Sequence, residues 1–182
     1  YEYYGRAASL IHTTIDGKRD LTPPPNARIY FIAGAQHGPG QFPPRRNGTQ
    51  NPANANDFRW AMRALLVAMH RWVTGGVEPP ASQYPQIADK KLVPLAALQF
   101  PKIPGVAFPN RMHKAYRVDY GPEFLGKGII ANEPPNVGSA FPMFVPQVNA
   151  EDGNETSGIR LPVIEVPLGT YTGWNLRRSV MG

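Results

Sequence analysis

The chain has 182 residues, of which 42% are hydrophobic, and its formal net charge is +6 at pH 7. This length suits one globular domain with a sizeable core, and the 21 prolines and 18 glycines predict a folded protein that is rich in loops. Because the chain has no cysteine, disulfides, a thiolate nucleophile and cysteine-ligated metal centres are excluded.

The positive charge does not indicate a nucleic-acid partner. Apart from adjacent pairs such as Arg45 and Arg46, the basic residues are scattered, whereas a nucleic-acid groove usually has them clustered on one face. No apolar stretch reaches the roughly 18 residues that a membrane span needs. We therefore expect no nucleic acid and no membrane span, and the composition does not indicate a compartment.

The first elements along the chain are a short helix, a turn and an apolar strand. Residues 3–12 ("YYGRAASLIH") have the composition of a short helix, although Gly5 weakens it. Asp16 and Gly17 form a turn signal. Residues 28–33 ("RIYFIA") are apolar almost throughout and rich in β-branched and aromatic side chains. This run predicts a strand buried on both faces, as in a parallel sheet covered by helices.

The strongest helix signal is "NDFRWAMRALLVAMHRWV", residues 56–73. Asn56 is the predicted N-cap, Asp57 suits the positive end of the helix, and Gly75 and Gly76 stop it. Apolar residues recur at spacings of three and four: Phe58, Met62, Leu65, Leu66, Met69, Trp72 and Val73. They predict one wide stripe that packs on a sheet.

His37 follows the predicted strand directly, within "GAQHGPG". Strand, loop and helix form an α/β unit, and the chemistry of open α/β sheets lies at the carboxyl ends of their strands. An imidazole can both accept and donate a proton near neutral pH, and Gly34, Gly38 and Gly40 allow the loop to bend sharply. Two interpretations of His37 therefore stand, a general base and a polar residue that satisfies backbone groups in a turn.

The chain changes character from Glu78 onward. Residues 78–109 are too rich in proline for a long helix, so we expect extended pieces that wrap over a surface. Strands are predicted at residues 143–148 and 159–166, joined by a turn around "EDGNETSG". Aromatic residues of this half are expected to pack on the core, with a substrate pocket as the alternative: Tyr84, Phe100, Phe108, Tyr116, Tyr120 and Phe124.

Four segments together carry a family resemblance: "EYYGRAASLIHTTIDGKRDL", "RIYFIAGAQHGPG", "ALLVAMHRWVTGGVEPPASQYP" and "IRLPVIEVPLGTYTGWNLR". In their order and spacing, the chain resembles the carboxyl-terminal part of bacterial proteins called alpha/beta hydrolase domain proteins. The resemblance implies an α/β fold, namely the carboxyl-terminal part of an alpha/beta hydrolase sheet with a loop-rich, β-containing extension. Residues 1–80 would belong to the hydrolase core, and residues 81–182 would be a proline-rich wrapping segment and β extension of the same domain.

Alpha/beta hydrolases use a catalytic triad that runs Ser, Asp or Glu, then His along the chain, with the serine in a G-x-S-x-G elbow. That elbow is absent here, since "TSGIR" and "GSAF" lack the glycine spacing. The resemblance therefore implies that the nucleophile and most of the oxyanion hole lie upstream of Tyr1. We expect the chain, which begins with tyrosine rather than methionine, to be part of a longer protein.

The resemblance gives His37 the role of general base. Glu2 is the candidate for the third triad member, because it stands where the penultimate strand of the fold should end. A carboxylate at that place accepts the Nδ1 proton of the histidine and stabilises the imidazolium. A solvated surface glutamate is the alternative interpretation of Glu2, and Asp16 and Asp20 are weaker substitutes.

His12, His70 and His113 show no spacing with carboxylates of the H-E-x-x-H kind, so a protein-bound catalytic metal is not expected. The implied reaction is hydrolysis of a small-molecule ester through a serine acyl-enzyme, without a cofactor. Its expected partner is the amino-terminal part of the same protein, and this chain alone should be inactive. The alternative is a non-catalytic binding or structural module, in which the proline-rich stretch and terminal strands form a partner surface and His37 is incidental.

Overall fold

A computed structural model describes residues 1–46 and 48–181 of the chain. Short elements joined by long loops make up the described part. The helices are α1 (Glu2–Gly5), α2 (Arg59–Gly75), α3 (Phe124–Lys127) and α4 (Pro162–Glu165), with 3-10 turns at Ala8–Ile11, Leu95–Ala97 and Ser179–Met181. The strands are β1 (Leu92–Val93), β2 (Tyr116–Asp119), β3 (Asn136–Ala140) and β4 (Val145–Pro146).

The four strands form two small antiparallel sheets. β1 pairs with β4, which places Leu92 opposite Pro146. β2 pairs with β3, which places Tyr116 opposite Ala140, and an irregularity follows Tyr116. The architecture is therefore mixed α/β and loop-rich.

The predicted strand at residues 28–33 is extended and pairs in parallel, but it is not part of a continuous sheet. Tyr30 forms a parallel bridge with Gln83, and Ile32 forms one with Ile159. We call residues 29–33 the central segment. The prediction that this strand is buried on both faces is wrong for the described residues, since only Ala33 is buried and the residues before it are half-buried. On the second edge of the central segment, the backbone groups of Tyr30 and Ile32 form no backbone hydrogen bond with the described residues.

Helix α2 begins and ends close to the predicted bounds, with a different cap. Phe58 is the N-cap, and the Asp57 carboxylate accepts the Arg59 N–H at 3.0 Å. The prediction that Asn56 caps the helix is wrong, because its side-chain amide is buried and donates to the Ala33 carbonyl at 3.0 Å. Gly76 ends the helix with a left-handed φ of 66°, as the glycine pair predicted.

The apolar stripe of α2 does not pack on a sheet within the described residues. Met62 is 53% exposed, Leu66 60% and Val73 79%. Near the carboxyl end of the helix, the Arg28 guanidinium forms a cation–π interaction with Trp72, at 4.6 Å from the centre of the ring. The helix lacks a covering layer because the described residues form no sheet beneath it. None of the described helices combines the length and apolar character that crossing a membrane requires.

The predicted amino-terminal helix at residues 3–12 is broken into two pieces. Ala7 has a left-handed φ of 54°, which separates α1 from the 3-10 turn Ala8–Ile11. The tertiary contact that accompanies this break is a hydrogen bond of 2.8 Å between the Tyr3 hydroxyl and Nε2 of the buried His12. Local helix propensity is therefore outweighed by packing in this stretch.

The last third of the chain contains one correct and one incorrect strand prediction. β4 lies within residues 143–148, whereas residues 159–166 do not form a strand because Pro162 begins α4. The turn between them is confirmed, since the Asn149 N–H donates to the Asn154 carbonyl at 2.8 Å and Val148 bridges Glu155.

The hydrophobic core joins both halves of the chain. Its buried members are Tyr3, Tyr4, Leu92, Phe144, Val145 and Trp174. Phe100 and Phe108 stack at 5.2 Å and both meet the Trp174 ring edge to face, so these two aromatic residues pack on the core. Tyr116 is 47% exposed and lies on the β2–β3 sheet instead.

Gly158 is a position where a larger residue should destabilise the fold. Its φ is +80°, and a Cβ placed there would meet the Phe31 carbonyl oxygen and lie 2.6 Å from Phe31 Cδ1. We expect Gly158→Ala to lower the free energy of unfolding by about 2–4 kcal/mol, because the backbone strain and the clash with the central segment add. Denaturant unfolding measures this, with Gly169→Ala as control because nothing lies within 4 Å of a Cβ there. Equal stability of the two variants would show that the central segment does not approach Gly158.

Candidate active site

His37 is carried by the loop that leaves the central segment. Gly34 turns the chain with a φ of +63°, and a Cβ at this position would lie 2.6 Å from Ile164 Cδ1 and 2.9 Å from the Tyr171 carbonyl oxygen. Only glycine fits this turn without displacement. At Gly40 the restriction is a close approach to Ala53, whereas a Cβ at Gly38 would meet nothing.

The structure brings His37 and Glu2 together. Glu2 lies in the first turn of α1, and its Oε1 is 2.7 Å from Nδ1 of His37. The side chains are 73% and 48% exposed, and the Tyr1 ring lies 5.5 Å from the imidazole. No described residue forms a hydrogen bond with Nε2 of His37, so that nitrogen is not engaged by the described part of the chain.

The two alternative carboxylates lie in other contacts. Asp16 accepts hydrogen bonds from the Thr14 hydroxyl (2.5 Å) and the Lys18 N–H (3.1 Å). Both bonds lower the pKa of Asp16, and the bond from Thr14 has the larger effect. Asp20 accepts the backbone N–H groups of Ile87 and Ala88 at 2.8 and 2.9 Å. Both aspartates thus serve as turn or loop acceptors.

The other histidines are not part of this arrangement. His12 is fully buried, and burial lowers its pKa, which favours the neutral ring that Tyr3 hydrogen-bonds. His70 and His113 are exposed, on α2 and in a loop. Within residues 1–46 and 48–181, no group of three histidine, aspartate or glutamate side chains is placed to hold a metal ion.

A groove of about 500 Å³ lies beside the His37–Glu2 pair. Its lining is mostly apolar and includes side chains from α1, the central segment and α2, among them Ile32, Phe58 and Met62. Among the described residues that line it, none is a serine, threonine or lysine. The groove therefore places an imidazole and a carboxylate side by side, and the side-chain hydroxyl groups that line it belong to tyrosines (Tyr1, Tyr3 and Tyr30).

Glu155 is a buried acid that the sequence interpretation missed. It is 4% exposed, and its Oε2 accepts the Gly34 N–H at 2.5 Å. Burial raises its pKa to about 7, while the Tyr1 amino group and the Gly34 N–H act in the opposite direction. Its neighbourhood in the polar turn "EDGNETSG" gave no signal that this glutamate would point into the interior.

The raised pKa of Glu155 predicts a dependence of stability on pH. The native carboxyl holds its proton up to about pH 7, whereas the unfolded chain releases it near the ordinary value of 4.5. The contribution of Glu155 to stability should therefore be lost as pH rises through this window, and Glu155→Gln should not share that loss. We expect the difference in unfolding free energy between the two proteins to change by up to about 3 kcal/mol from pH 4.5 to 7 and to stay level above it. Parallel pH profiles in denaturant titrations would contradict this.

Comparison with known proteins identifies the family. The model of an alpha/beta hydrolase domain family matches residues 9–182, and the chain belongs to this family. The family resemblance carried by the four sequence segments is thereby confirmed, and the matched residues include His37 but not Glu2. No curated protein and no solved structure matches the chain.

Proposed function

We propose that the chain is the carboxyl-terminal part of a serine hydrolase that cleaves carboxylic esters, with His37 as general base and Glu2 as its orienting acid. The observation that carries this proposal is the contact of 2.7 Å between His37 Nδ1 and Glu2 Oε1. A carboxylate at Nδ1 selects the tautomer with the proton on that nitrogen, which leaves Nε2 as the acceptor. Membership of a hydrolase family gives this geometry its chemical context.

The proposed reaction proceeds in two acyl-transfer steps. Nε2 of His37 takes the proton of a serine hydroxyl while its oxygen attacks the ester carbonyl carbon, and the imidazolium then gives that proton to the departing alcohol. Water replaces the alcohol in the second step, and His37 again takes and returns one proton. Glu2 stays ionised and stabilises the imidazolium in both steps. The reaction needs no cofactor.

Three observations support a serine outside these residues. The G-x-S-x-G elbow is absent, and no serine lines the groove beside His37 among the described residues. The central segment uses one edge for its parallel bridges, through Ile29, Phe31 and Ala33. On the other edge, the backbone groups of Tyr30 and Ile32 have no backbone partner among the described residues.

Such an open edge fits a polypeptide strand better than an acyl chain. A strand would satisfy the N–H and C=O groups of Tyr30 and Ile32, whereas an apolar ligand would bury them unpaired. The exposed stripe of α2, with Met62 and Leu66, adjoins the same groove through Met62. We propose that the amino-terminal part of the same protein covers this surface and supplies the nucleophile.

Ester hydrolysis by a longer form of the protein tests this function. We expect hydrolysis of a p-nitrophenyl ester when the upstream polypeptide is present and none from residues 1–182 alone, with circular dichroism showing that both proteins are folded. Full activity in residues 1–182 alone would contradict an external nucleophile. The absence of hydrolysis in the folded longer protein would contradict the esterase.

A non-catalytic binding module is the second candidate, and the exposed apolar face of α2 favours it. In that case the surface would bind a partner protein, and His37 would only satisfy polar groups in its turn. The two candidates differ in one result, because a binding module with the upstream polypeptide present would remain inactive towards esters.

A further inference from the structure

Glu155 connects the carboxyl-terminal part of the chain to the His37 loop. It lies directly after the turn at residues 149–154, and Oε2 of its buried carboxyl group accepts the N–H of Gly34 at 2.5 Å across a separation of 121 residues. A buried hydrogen bond is electrostatically stronger than an exposed one, because the effective dielectric constant inside a protein is lower than in water. This contact is therefore well suited to fix a backbone position.

The backbone unit that Glu155 holds is the one that sets the direction of the loop. Gly34 is where the chain turns from the central segment towards His37. The Gly34 carbonyl accepts a hydrogen bond of 2.5 Å from Asn54, whose amide also donates to the Thr172 carbonyl at 3.0 Å. Both polar groups of the Gly34 backbone are thus bound by side chains instead of by a sheet.

Glu2 is held in place through its neighbour Tyr1, which contacts both the His37 loop and the carboxyl-terminal segment. The Tyr1 nitrogen donates to the Ala35 carbonyl at 2.9 Å, which fixes the residue before Glu2 to the His37 loop. A Cβ at Gly173 would lie 2.5 Å from the Tyr1 nitrogen, so the carboxyl-terminal segment also packs closely against this end of α1. The loop and the start of α1 consequently share one support.

We propose that Glu155 is a positioning residue, whose bond to the Gly34 N–H holds the His37 loop in the place where Nδ1 meets Glu2. This inference rests on the proposed function for its catalytic meaning, but its geometry concerns contacts within residues 1–182 alone. The side chains of His37 and Glu2 are exposed, and only the hydrogen bond of 2.7 Å between Nδ1 and Oε1 joins them. A small movement of the loop would therefore break this contact.

The test uses residues 1–182 and three replacements of Glu155. Alanine removes the acceptor, aspartate withdraws it by one methylene, and glutamine keeps an oxygen acceptor at the same reach. Nitrogen-15 NMR of the His37 ring reports which nitrogen carries the proton, and amide exchange reports the protection of the Gly34 N–H. Thermal unfolding of each variant is recorded alongside.

In Glu155→Ala we expect exchange of the Gly34 amide to accelerate about tenfold or more. We also expect the His37 ring to lose its preference for the Nδ1–H tautomer. Glu155→Gln should keep both properties within about twofold, and Glu155→Asp should lie between the two. If the alanine variant does not fold, the same two measurements on the aspartate variant decide between the outcomes. A wild-type His37 tautomer in the folded alanine or aspartate variant would overturn the proposal, as would a glutamine variant that behaves like the alanine one.

Asn154→Ala is the matched control for general loosening of this segment. Asn154 is as buried as Glu155, and its side chain bonds the Gly169 carbonyl at 3.0 Å and the Tyr171 N–H at 2.8 Å. We expect its loss to lower thermal stability without changing the His37 tautomer. An Asn154 variant with the same tautomer change as Glu155→Ala would contradict a specific role for Glu155. The tautomer and amide-exchange measurements need no ester. They therefore test the role of Glu155 even if the esterase assay fails.

Discussion

Replacing His37 with alanine is expected to lower kcat for ester hydrolysis by at least about 10³-fold in the protein that includes the upstream polypeptide. Without the imidazole, no group at this place accepts the proton of the nucleophile or protonates the leaving alcohol. The side chain is 73% exposed, so its removal should leave the thermal stability close to that of the wild type. Steady-state kinetics with a p-nitrophenyl ester and a thermal scan measure both effects.

His113→Ala is the control for this experiment. His113 is also exposed, but it lies in a loop whose backbone N–H bonds the Tyr4 carbonyl at 3.0 Å, a contact that does not need the side chain. We expect the His113 variant to retain kcat within about twofold. A His37 variant with the activity of the His113 variant would remove His37 from the mechanism.

Glu2→Gln is expected to reduce kcat by roughly 10²- to 10⁴-fold with little change in KM. The amide loses the charge that stabilises the imidazolium and can donate to Nδ1, which favours the wrong tautomer of His37. Because the contact of 2.7 Å is exposed, its contribution to folding is small and the fold should persist. The loss should therefore appear in kcat and in the nitrogen-15 signals of the ring, but not in the unfolding temperature.

The matched control is Glu123→Gln. Glu123 is an exposed acid whose carboxylate pairs with Lys127 at 2.9 Å, and neither residue lines the groove beside His37. It should leave kcat unchanged within about twofold. If Glu2→Gln behaved in the same way, Glu2 would be a solvated surface residue, which is the alternative interpretation that the sequence allowed.

Local signals in the sequence were informative where a few neighbouring residues determine the backbone. The glycine pair after α2 predicted the end of this helix, and the turn at residues 149–154 followed from its run of polar residues and glycine. The sequence also predicted correctly that His37 follows an extended apolar segment, because the segment and the turn after it are formed by adjacent residues.

Contacts between distant residues were harder to predict. Asn56 was predicted to cap α2, but its side-chain amide donates a hydrogen bond to the Ala33 carbonyl instead. Glu155 belongs to a stretch for which the sequence predicted only a turn, and its hydrogen bond to Gly34 joins it to a residue 121 positions earlier in the chain. Periodicity and turn signals describe short windows, so they carry no information about such partners.

Helix α2 and the central segment are more exposed in the structure than their apolar sequences predicted. The apolar stripe predicted a sheet beneath the helix, whereas Leu66 is 60% exposed and the edge at Tyr30 has no backbone partner among the described residues. An apolar stripe indicates that a surface is built for burial but not which polypeptide covers it. The proposed function assigns this cover to the upstream part of the same protein.

The location of the reactive serine tests the central claim most directly. The protein with its upstream polypeptide is treated with a fluorophosphonate, which reacts with an activated serine by loss of fluoride, and the labelled peptide is identified by mass spectrometry. We predict one labelled serine before Tyr1, and no labelling in the folded His37→Ala variant. A label on a serine within residues 1–182, or labelling that persists without His37, would contradict the account.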